Sequence, residues 1–264
     1  MQCTKVTKSV FKKLRQPKPK SHKYQNGLTL VVAGSNQYHG SLVFSAVTAS
    51  RLVDLLLICT SHSNFSIVKK YSPAFIVHPY GDALKLAKKA DSILIGPGID
   101  ESQRMKKLVT RIVSKNSDKP TILDATALHL ISPYKLHSNC IVTPHPKEFS
   151  AFFKIPPTQE NVLKVSKWFD IIVCLTGKTD FISNGKKLYC NSTGNQSMTK
   201  GGTGDTLAGL IAGFAAKSPL LESTLAACYL NGFTGDQLKK KQGTMFNAED
   251  LMNALPTAFK KLSK

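Results

Sequence analysis

The fold is decided by the stretch Gly194-Asn195-Gln196-Ser197-Met198-Thr199-Lys200-Gly201-Gly202-Thr203-Gly204-Asp205-Thr206-Leu207-Ala208-Gly209, in which a glycine-rich loop leads into an apolar, alanine-rich segment. Residues 207–216 predict a buried helix. Glycine tolerates positive φ, so we expect Gly201, Gly202 and Gly204 to bring the backbone close to a ligand. The free N–H groups and the dipole at the start of the helix then favour an anion.

Asp205 stands at the same helix start. A carboxylate beside an anion-binding loop repels a phosphate, but it can take a proton from a hydroxyl that attacks a phosphoryl group. The loop amides would hold the charge that develops. The simpler interpretation makes Asp205 a helix N-cap and the glycines a tight turn.

Composition limits the class of protein. The chain has 264 residues, enough for one large α/β core. It carries 36 Lys+Arg against 16 Asp+Glu, and residues 1–26 contain no acidic residue. Such charge attracts polyanions, including nucleic acid. We expect a solvated lysine-rich surface instead, because no nucleic-acid-binding module is present. We predict a basic N-terminal lead at 1–20 and a single domain at 21–264.

The six cysteines show no CxxC pairing and no metal-ligand spacing with histidine. Three of them lie in or beside apolar runs, which favours buried reduced thiols and a cytoplasmic protein. No apolar run is long enough to span a bilayer, so we expect no membrane association.

Short apolar runs bounded by Gly, Pro or Asp alternate with helical spacing. We predict strands at 28–33, 54–59, 74–78, 92–95, 121–123, 140–142 and 171–175. We predict helices at 41–52, 83–90, 103–114, 159–169, 221–238 and 248–262, the last two amphipathic. Asn184-Gly185 predicts a hairpin with a type I′ turn. Alternating βα units indicate an α/β fold with a doubly wound, mostly parallel sheet flanked by helices.

Ligands bind at the carboxyl ends of strands in such sheets. The segments that follow the predicted strands are polar and rich in glycine, and they predict one composite site at that edge. They are Gly34-Ser35-Asn36-Gln37-Tyr38-His39-Gly40-Ser41, Gly96-Pro97-Gly98, Asp124-Ala125-Thr126, Thr143-Pro144-His145-Pro146-Lys147-Glu148 and Thr176-Gly177-Lys178-Thr179-Asp180.

In this order the segments closely resemble the nucleotide-dependent NAD(P)H-hydrate dehydratases, metabolite-repair enzymes of the ribokinase-like fold. The likeness runs from about residue 21 to about residue 262. It includes Tyr38-His39-Gly40, Gly96-Pro97-Gly98 and Leu123-Asp124-Ala125. Its most specific part is the combination of Thr143-Pro144-His145-Pro146 with Gly201-Gly202-Thr203-Gly204-Asp205, since the glycine loop alone would mark only the wider kinase-like superfamily.

The resemblance implies a hydro-lyase that restores NADH or NADPH from its hydrate. The hydroxyl would be phosphorylated from ADP or ATP, and phosphate would then depart. Asp205 would be the base, and the amides of Gly202, Thr203 and Gly204 would form the anion hole. The substrate-binding positions implied are Tyr38, Ser41, Gly98, His145, Asn195 and Asp205. The positions implied for the donor nucleotide are Thr176, Gly177, Lys178, Thr179, Asp180 and Gly204.

By the same resemblance, Glu148 would order Mg²⁺ and water near the phosphates, with help from Asp124. Mg²⁺ keeps several waters and is bound by one or two carboxylates plus phosphates, so few protein ligands are expected. A homo-oligomer, often a tetramer, is also implied. The resemblance leaves open whether the donor is ADP or ATP, and whether the preferred substrate is NADH-hydrate or NADPH-hydrate.

Four positions depart from the family pattern. Ser41 stands where Ala is usual, Thr126 where Asp is common, and Thr176 where Lys precedes the glycine of the donor loop. Lys178 follows two positions later and could still neutralise phosphate. Lys200 replaces Thr before the glycine loop, where it either adds positive charge close to the transferred group or is simply exposed.

Two other functions fit parts of the sequence. A kinase for a small alcohol, such as a thiazole or hydroxymethylpyrimidine vitamin precursor, would use the same loop and base. The Thr-Pro-His-Pro segment favours the dehydratase, since those kinases usually carry Asn near the position of His145. A polyanion-binding protein on an inactive kinase-like scaffold would account for the +20 charge. The intact carboxylate at Asp205 argues against it.

Overall fold

A computed structural model describes residues 3–263. Its ten strands form one sheet in the order β1-β10-β9-β8-β7-β6-β5-β2-β3-β4. Only β9 runs antiparallel to its neighbours. The strands are β1 Thr4–Lys5, β2 Leu28–Val32, β3 Leu55–Thr60, β4 Phe75–Pro79, β5 Ser92–Ile95, β6 Thr121–Leu123, β7 Cys140–Val142, β8 Ile172–Leu175, β9 Asp180–Ser183 and β10 Leu188–Asn191. The predicted strands are confirmed, with ends that differ by at most two residues.

The helices are α1 His39–Ser50, α2 Phe65–Tyr71, α3 Ala83–Ala87, α4 Gln103–Lys115, α5 Thr126–Leu130, α6 Pro146–Phe153, α7 Gln159–Phe169, α8 Thr203–Ala215, α9 Leu220–Gln242 and α10 Ala248–Leu262. They cover both faces of the sheet. Successive side chains of a strand point to opposite faces. Val31 accordingly joins a core with α1, α8, α9 and α10, while Leu30 and Val32 join a core with α3 to α7. The prediction of a doubly wound sheet is confirmed.

The basic lead packs onto this domain over much of its described length. β1 pairs in parallel with β10, and a 3₁₀ helix at Lys8–Lys13 follows it. Val6, Val10, Phe11 and Leu14 are buried in the core. The segment is rich in lysine, but its buried apolar residues determine where it lies. Residues 1 and 2 of the predicted lead lie outside the described residues.

Two local predictions need correction. The β9–β10 hairpin exists, but four residues separate its strands, and Gly185 has φ +77° while Asn184 is not among the residues with positive φ. The turn is therefore not type I′. The side chain of Asn184 accepts hydrogen bonds from the N–H groups of Lys186 and Lys187, each at 3.2 Å, and so closes the longer loop. The second correction concerns α9, which is buried on most of its circumference rather than on one stripe.

α1 and α8 pack closely in parallel because α8 carries glycine at the points of contact. A Cβ at Gly209 would collide with the backbone carbonyl of Ser45. A Cβ at Gly213, one turn further on, would lie 2.8 Å from the side chain of Leu52. Both helices begin at the carboxyl edge of the sheet, so their close packing brings their first turns together there. Among the described residues, no helix combines the length and the apolar character needed to cross a membrane.

Candidate active site

The polar segments that follow the strands border two cavities at the carboxyl edge of the sheet. The larger has a volume of about 1390 Å³ and the smaller about 500 Å³. The larger is bordered by the glycine turn, residues 201–204, and by the predicted donor loop, residues 176–180. Of the predicted site residues, Asp124, His145, Glu148, Asn195, Gly202, Thr203, Gly204, Asp205 and the whole segment from Thr176 to Asp180 border the larger cavity. Tyr38, Ser41 and Gly98 border the smaller one, together with Thr126.

The glycine turn has one residue with positive φ, not three. Gly202 has φ +95° and precedes the first residue of α8. A Cβ at Gly202 would lie 2.6 Å from the ring of Phe44, so glycine is required there for space as well as conformation. Gly201 and Gly204 are not in the positive-φ region, which corrects the prediction. A Cβ at either would meet nothing within 4 Å, and both border the larger cavity.

The start of α8 is fixed by the hydroxyl of Thr203. It donates to the carbonyl oxygen of Met198 at 2.6 Å or to that of Lys200 at 2.9 Å. The N–H groups of the first turn of a helix have no partner within the helix. The N–H of Thr203 donates to the carbonyl oxygen of Lys200 at 3.4 Å, whereas those of Gly202 and Gly204 have no backbone partner among the described residues and are available to an anion in the cavity.

Asp205 is the third residue of α8, and Gly202 occupies the N-cap position. The interpretation of Asp205 as an N-cap is therefore wrong. Burial raises the pKa of its carboxyl to about 6, and the hydroxyl of Ser41 counteracts part of that rise. Ser41 borders the smaller cavity and Asp205 the larger one. The carboxylate thus borders the larger cavity beside a residue that borders the smaller one.

Asp124 is held in a strained chain reversal at the end of β6. Ala125 has φ +49°, a conformation that costs a residue with a side chain about 1–3 kcal/mol. Gly96, with φ +129°, leaves no room for a Cβ against the carbonyl group of Asp124. The hydroxyl of Thr143 donates to Oδ1 of Asp124 at 2.6 Å. Burial, followed by the charge of Asp205, raises the pKa of Asp124 to about 8.

His145 caps α6. Its Nδ1 accepts hydrogen bonds from the N–H groups of Lys147 at 3.1 Å and Glu148 at 3.2 Å. The carboxylate of Glu148 accepts from the N–H of His145 at 2.9 Å, which completes a capping box. The side chain of His145 is 54% exposed. Its Nε2 lies 3.6 Å from Oε1 of Glu148, and the exposed part of the ring borders the cavity, where it can meet a ligand.

The predicted donor loop is tied to two neighbouring segments. The N–H of Thr176 donates to the carbonyl oxygen of Pro144 at 3.0 Å. The carboxylate of Asp180 accepts from the N–H of Gly177 at 3.1 Å and from the amide of Asn191 at 2.9 Å. Burial raises the pKa of Asp180 to about 6. Asp180 therefore holds the loop in its conformation through these two hydrogen bonds, while Lys178 in the same loop is exposed.

Asn195 and Lys200 are also engaged with the protein itself. The side chain of Asn195 accepts from the N–H of Ser197 at 3.1 Å and donates to Asp236 at 3.1 Å. The ammonium of Lys200 donates to the carbonyl oxygens of Thr244, at 2.8 Å, and Phe246. Lys200 is thus exposed, as the second interpretation has it, but its ammonium is held by these two carbonyl oxygens.

Sequence reasoning missed the contribution of α9. Asn231, Asp236, Lys239 and Lys240 all lie on this helix and border the larger cavity. The two carboxylate oxygens of Asp236 accept from the N–H of Gly194 at 3.0 Å and from Asn195. No motif marks these residues, because the helix lies outside the segments that follow the strands.

The carboxylates suit a sparsely ligated magnesium ion better than a protein-built metal cage. Among residues 3–263, no group of three His, Cys, Asp or Glu side chains is arranged to hold a metal. Asp124 and Glu148 nevertheless border the same cavity. Two carboxylates completed by phosphate oxygens and water are a usual donor set for Mg²⁺. The residues present fit that ion.

Comparison with known proteins gives a consistent picture. Residues 29–257 match the sequence model of a family described as NAD(P)H-hydrate dehydratase. The chain is 36% identical to the ADP-dependent (S)-NAD(P)H-hydrate dehydratase of Nitrosopumilus maritimus, over 99% of this chain and 98% of that protein. It is also 36% identical to the enzyme of the same description from Cenarchaeum symbiosum, over 91% of each.

A solved structure agrees with the sequence matches. The ADP/ATP-dependent NAD(P)H-hydrate dehydratase of Bacillus subtilis, co-crystallised with ATP and Mg²⁺, superposes with a TM-score of 0.90. Its sequence is 27% identical, and the match covers 99% of each chain. The likeness therefore extends over the whole sheet and both layers of helices.

Proposed function

Because the chain belongs to the NAD(P)H-hydrate dehydratase family, we propose that it dehydrates (S)-NAD(P)H-hydrate to NAD(P)H at the expense of a nucleotide. The reaction is that of a hydro-lyase and repairs a damaged cofactor. The single observation that carries the proposal is the position of Asp205, at the start of α8 in the wall of the larger cavity and beside Ser41 of the smaller one. A hydroxyl from one side and a phosphoryl group from the other can meet there.

The residues suggest how the transfer proceeds. Asp205 takes the proton of the substrate hydroxyl as its oxygen attacks the terminal phosphorus of the donor. The new O–P bond forms, and the bond from that phosphorus to the donor's bridging oxygen breaks. The N–H groups of the turn from Gly202 to Gly204 stabilise the charge on the phosphoryl oxygens. Phosphate then departs with the electron pair of the C–O bond, a proton leaves the adjacent ring carbon, and the electron pair of that C–H bond forms the ring double bond.

The raised pKa of Asp205 suits this role. With a pKa of about 6, the carboxylate is mostly ionised at pH 7 yet more basic than an ordinary Asp. Proton transfer is most efficient when the pKa of the base lies near the working pH. Burial supplies the shift, because water that would solvate the ionised carboxylate is excluded.

We propose that the donor nucleotide occupies the larger cavity and that the hydrated ring approaches from the smaller one. The donor would contact the segment from Thr176 to Asp180 and Gly204. Exposed Lys178 could neutralise its phosphates. Tyr38, Ser41 and Gly98 would bind the dinucleotide on the other side of Asp205. His145 would contact it from the wall of the larger cavity, while Asn195 would hold its own loop in place.

Asp124 and Glu148 would hold Mg²⁺, which supplies positive charge to the donor phosphates when bound. ADP is the proposed donor, because the two relatives at 36% identity are described as ADP-dependent. The small-alcohol kinase and the polyanion-binding scaffold are not favoured, because the relatives named above are dehydratases. Assembly into a homo-oligomer stays a prediction that light scattering on the purified chain would test.

The test is a spectroscopic assay. Purified protein is mixed with hydrated NADH, Mg²⁺ and either ADP or ATP, and the absorbance of reduced nicotinamide is followed. We expect recovery with ADP, and no recovery without nucleotide or with the Asp205→Asn variant. Absence of recovery with both nucleotides, from a protein that is folded by circular dichroism, would refute the dehydratase assignment.

A further inference from the structure

One polar atom in the wall of the larger cavity has no partner. Asn231, on α9, is 7% exposed and borders that cavity. Its Nδ2 donates to the carbonyl oxygen of Thr203 at 3.3 Å. Its Oδ1 is buried and has no hydrogen-bond partner among the described residues. Two other side chains share this condition, those of His137 and Ser223, and neither borders either cavity.

The orientation of the amide is determined by Thr203. A backbone carbonyl oxygen only accepts hydrogen bonds, so the NH₂ end of the Asn231 amide must face it. The carbonyl end of the amide is thereby left without a donor. Leaving a buried acceptor unpaired costs more than an ordinary hydrogen bond returns, so such atoms are rare in folded proteins. Oδ1 of Asn231 is therefore free to accept a hydrogen bond from a ligand in the cavity.

The surroundings of Asn231 limit what that donor can be. Cys228, three residues earlier on α9, is a neutral neighbour that borders the same cavity. A phosphate group has only acceptor oxygens when ionised, so Oδ1 of Asn231 would repel it. The groups of a nucleotide that donate without carrying charge are the amino group of the base and the hydroxyls of the sugar. Either would match a neutral acceptor.

We propose that Oδ1 of Asn231 accepts a hydrogen bond from the donor nucleotide, at the base amino group or at a sugar hydroxyl. This inference rests on the proposed function, because it assumes that the larger cavity holds the nucleotide. It makes Asn231 a residue that determines which nucleotide is bound. Its bond to Thr203 also joins nucleotide recognition to the first residue of α8, two positions before Asp205.

Equilibrium binding to the full chain, with Mg²⁺ and without the hydrated substrate, separates the possibilities. The ligands are ADP, purine riboside diphosphate, which lacks the amino group, and 2′-deoxy-ADP and 3′-deoxy-ADP, which each lack one hydroxyl. They are titrated into wild type, Asn231→Leu and Asn231→Ala. The matched control is Ser223→Ala, which removes the other unpartnered group of α9 away from the cavities.

We expect Asn231→Leu and Asn231→Ala to weaken ADP binding about tenfold, on the scale of one hydrogen bond plus a lost partner. We expect one analogue to bind wild type about tenfold more weakly than ADP, and to lose no further affinity in the variants. The identity of that analogue names the donor group. Ser223→Ala should bind every ligand as wild type does.

The inference is overturned if every analogue loses the same factor in wild type and in the variants, since Asn231 would then contact none of the deleted groups. The wild-type measurements stand even if a variant fails to fold, because equal binding of all four ligands to wild type also overturns it. If none of the four ligands binds wild type, the proposed function fails instead.

Discussion

The carbonyl oxygen of Ser45 lies where a side chain at Gly209 would have to go. The same register places Ser41, one turn earlier on α1, beside Asp205, one turn earlier on α8. Helices that touch through a glycine approach more closely than helices separated by side chains. The close approach of α1 and α8 at Gly209 therefore determines the distance between Ser41 and Asp205, one turn away.

Gly209→Ala should accordingly affect both stability and turnover. The added Cβ must push α1 from α8, and overpacking of this kind costs about 1–3 kcal/mol. Separation of Ser41 from Asp205 should also lower kcat. Chemical denaturation and the nucleotide-dependent assay measure the two effects. Gly81→Ala is the control, because a Cβ there meets nothing within 4 Å. Wild-type stability for Gly209→Ala would show that the helices do not depend on this glycine.

Gly202 and Gly204 should respond differently to alanine. Gly202→Ala forces a side chain into φ +95° and against the ring of Phe44, so we expect a loss of about 1–3 kcal/mol in stability. Gly204→Ala has room for its Cβ, which lies at the cavity. We expect it to fold like wild type and to lose turnover, because the methyl group occupies space that the phosphoryl group needs. Normal turnover of folded Gly204→Ala would place the anion elsewhere.

The strands and most of the loops that carry the site could be predicted from sequence, because the signals for them lie in neighbouring residues. Strands such as Ser92–Ile95 are short apolar runs between polar residues, and the loops after them carry the predicted site residues. The burial of Phe11 in a lysine-rich segment depends instead on its contacts with Tyr229 and Phe259, more than 200 residues away. The role of Asn231 likewise depends on a contact with Thr203 between two helices, which no local pattern encodes.

Asp205→Asn should separate catalysis from folding. Burial raises the pKa of the folded-state carboxyl to about 6 from 3.8, so the folded protein binds this proton more tightly than the unfolded chain. The stability from that proton is complete below pH 3.8 and is lost as the pH rises to about 6. At pH 7 the neutral amide should therefore fold at least as stably as wild type, while kcat falls about 10² or more.

The pH profile of wild type gives an independent check on Asp205. A base must be ionised to accept a proton, so the part of the kcat profile that Asp205 controls should fall about tenfold per pH unit below pH 6. Asp118→Asn, at an exposed position, is the control and should retain the wild-type profile. An acid limb that persists unchanged in the residual activity of Asp205→Asn would assign the titration to another group.

Two substitutions separate the capping of α6 by His145 from the proposed contact of its ring with the dinucleotide. Asparagine also accepts hydrogen bonds at an N-cap, whereas alanine does not, so His145→Ala should cost about 1 kcal/mol of stability and His145→Asn much less. Both remove the exposed part of the ring, so both should raise KM for the hydrated dinucleotide by similar factors. If His145→Asn restores wild-type KM along with stability, the ring serves only to cap α6.

Phe11 tests whether the basic lead is part of the folded core. Its ring is 4% exposed and packs edge to face against Tyr229, with ring centroids 6.1 Å apart, and Phe259, at 5.9 Å. Truncation of a buried Phe typically costs about 3–5 kcal/mol, so Phe11→Ala should lower the denaturation midpoint substantially. Neighbouring Lys12 is exposed, and Lys12→Ala should leave it unchanged. Tyr229 lies one residue after Cys228, which borders the larger cavity. In Phe11→Ala, Tyr229 should repack, and nucleotide binding should therefore also weaken. Unchanged stability of this variant would contradict the burial of the lead and would mean that the lead contributes charge alone.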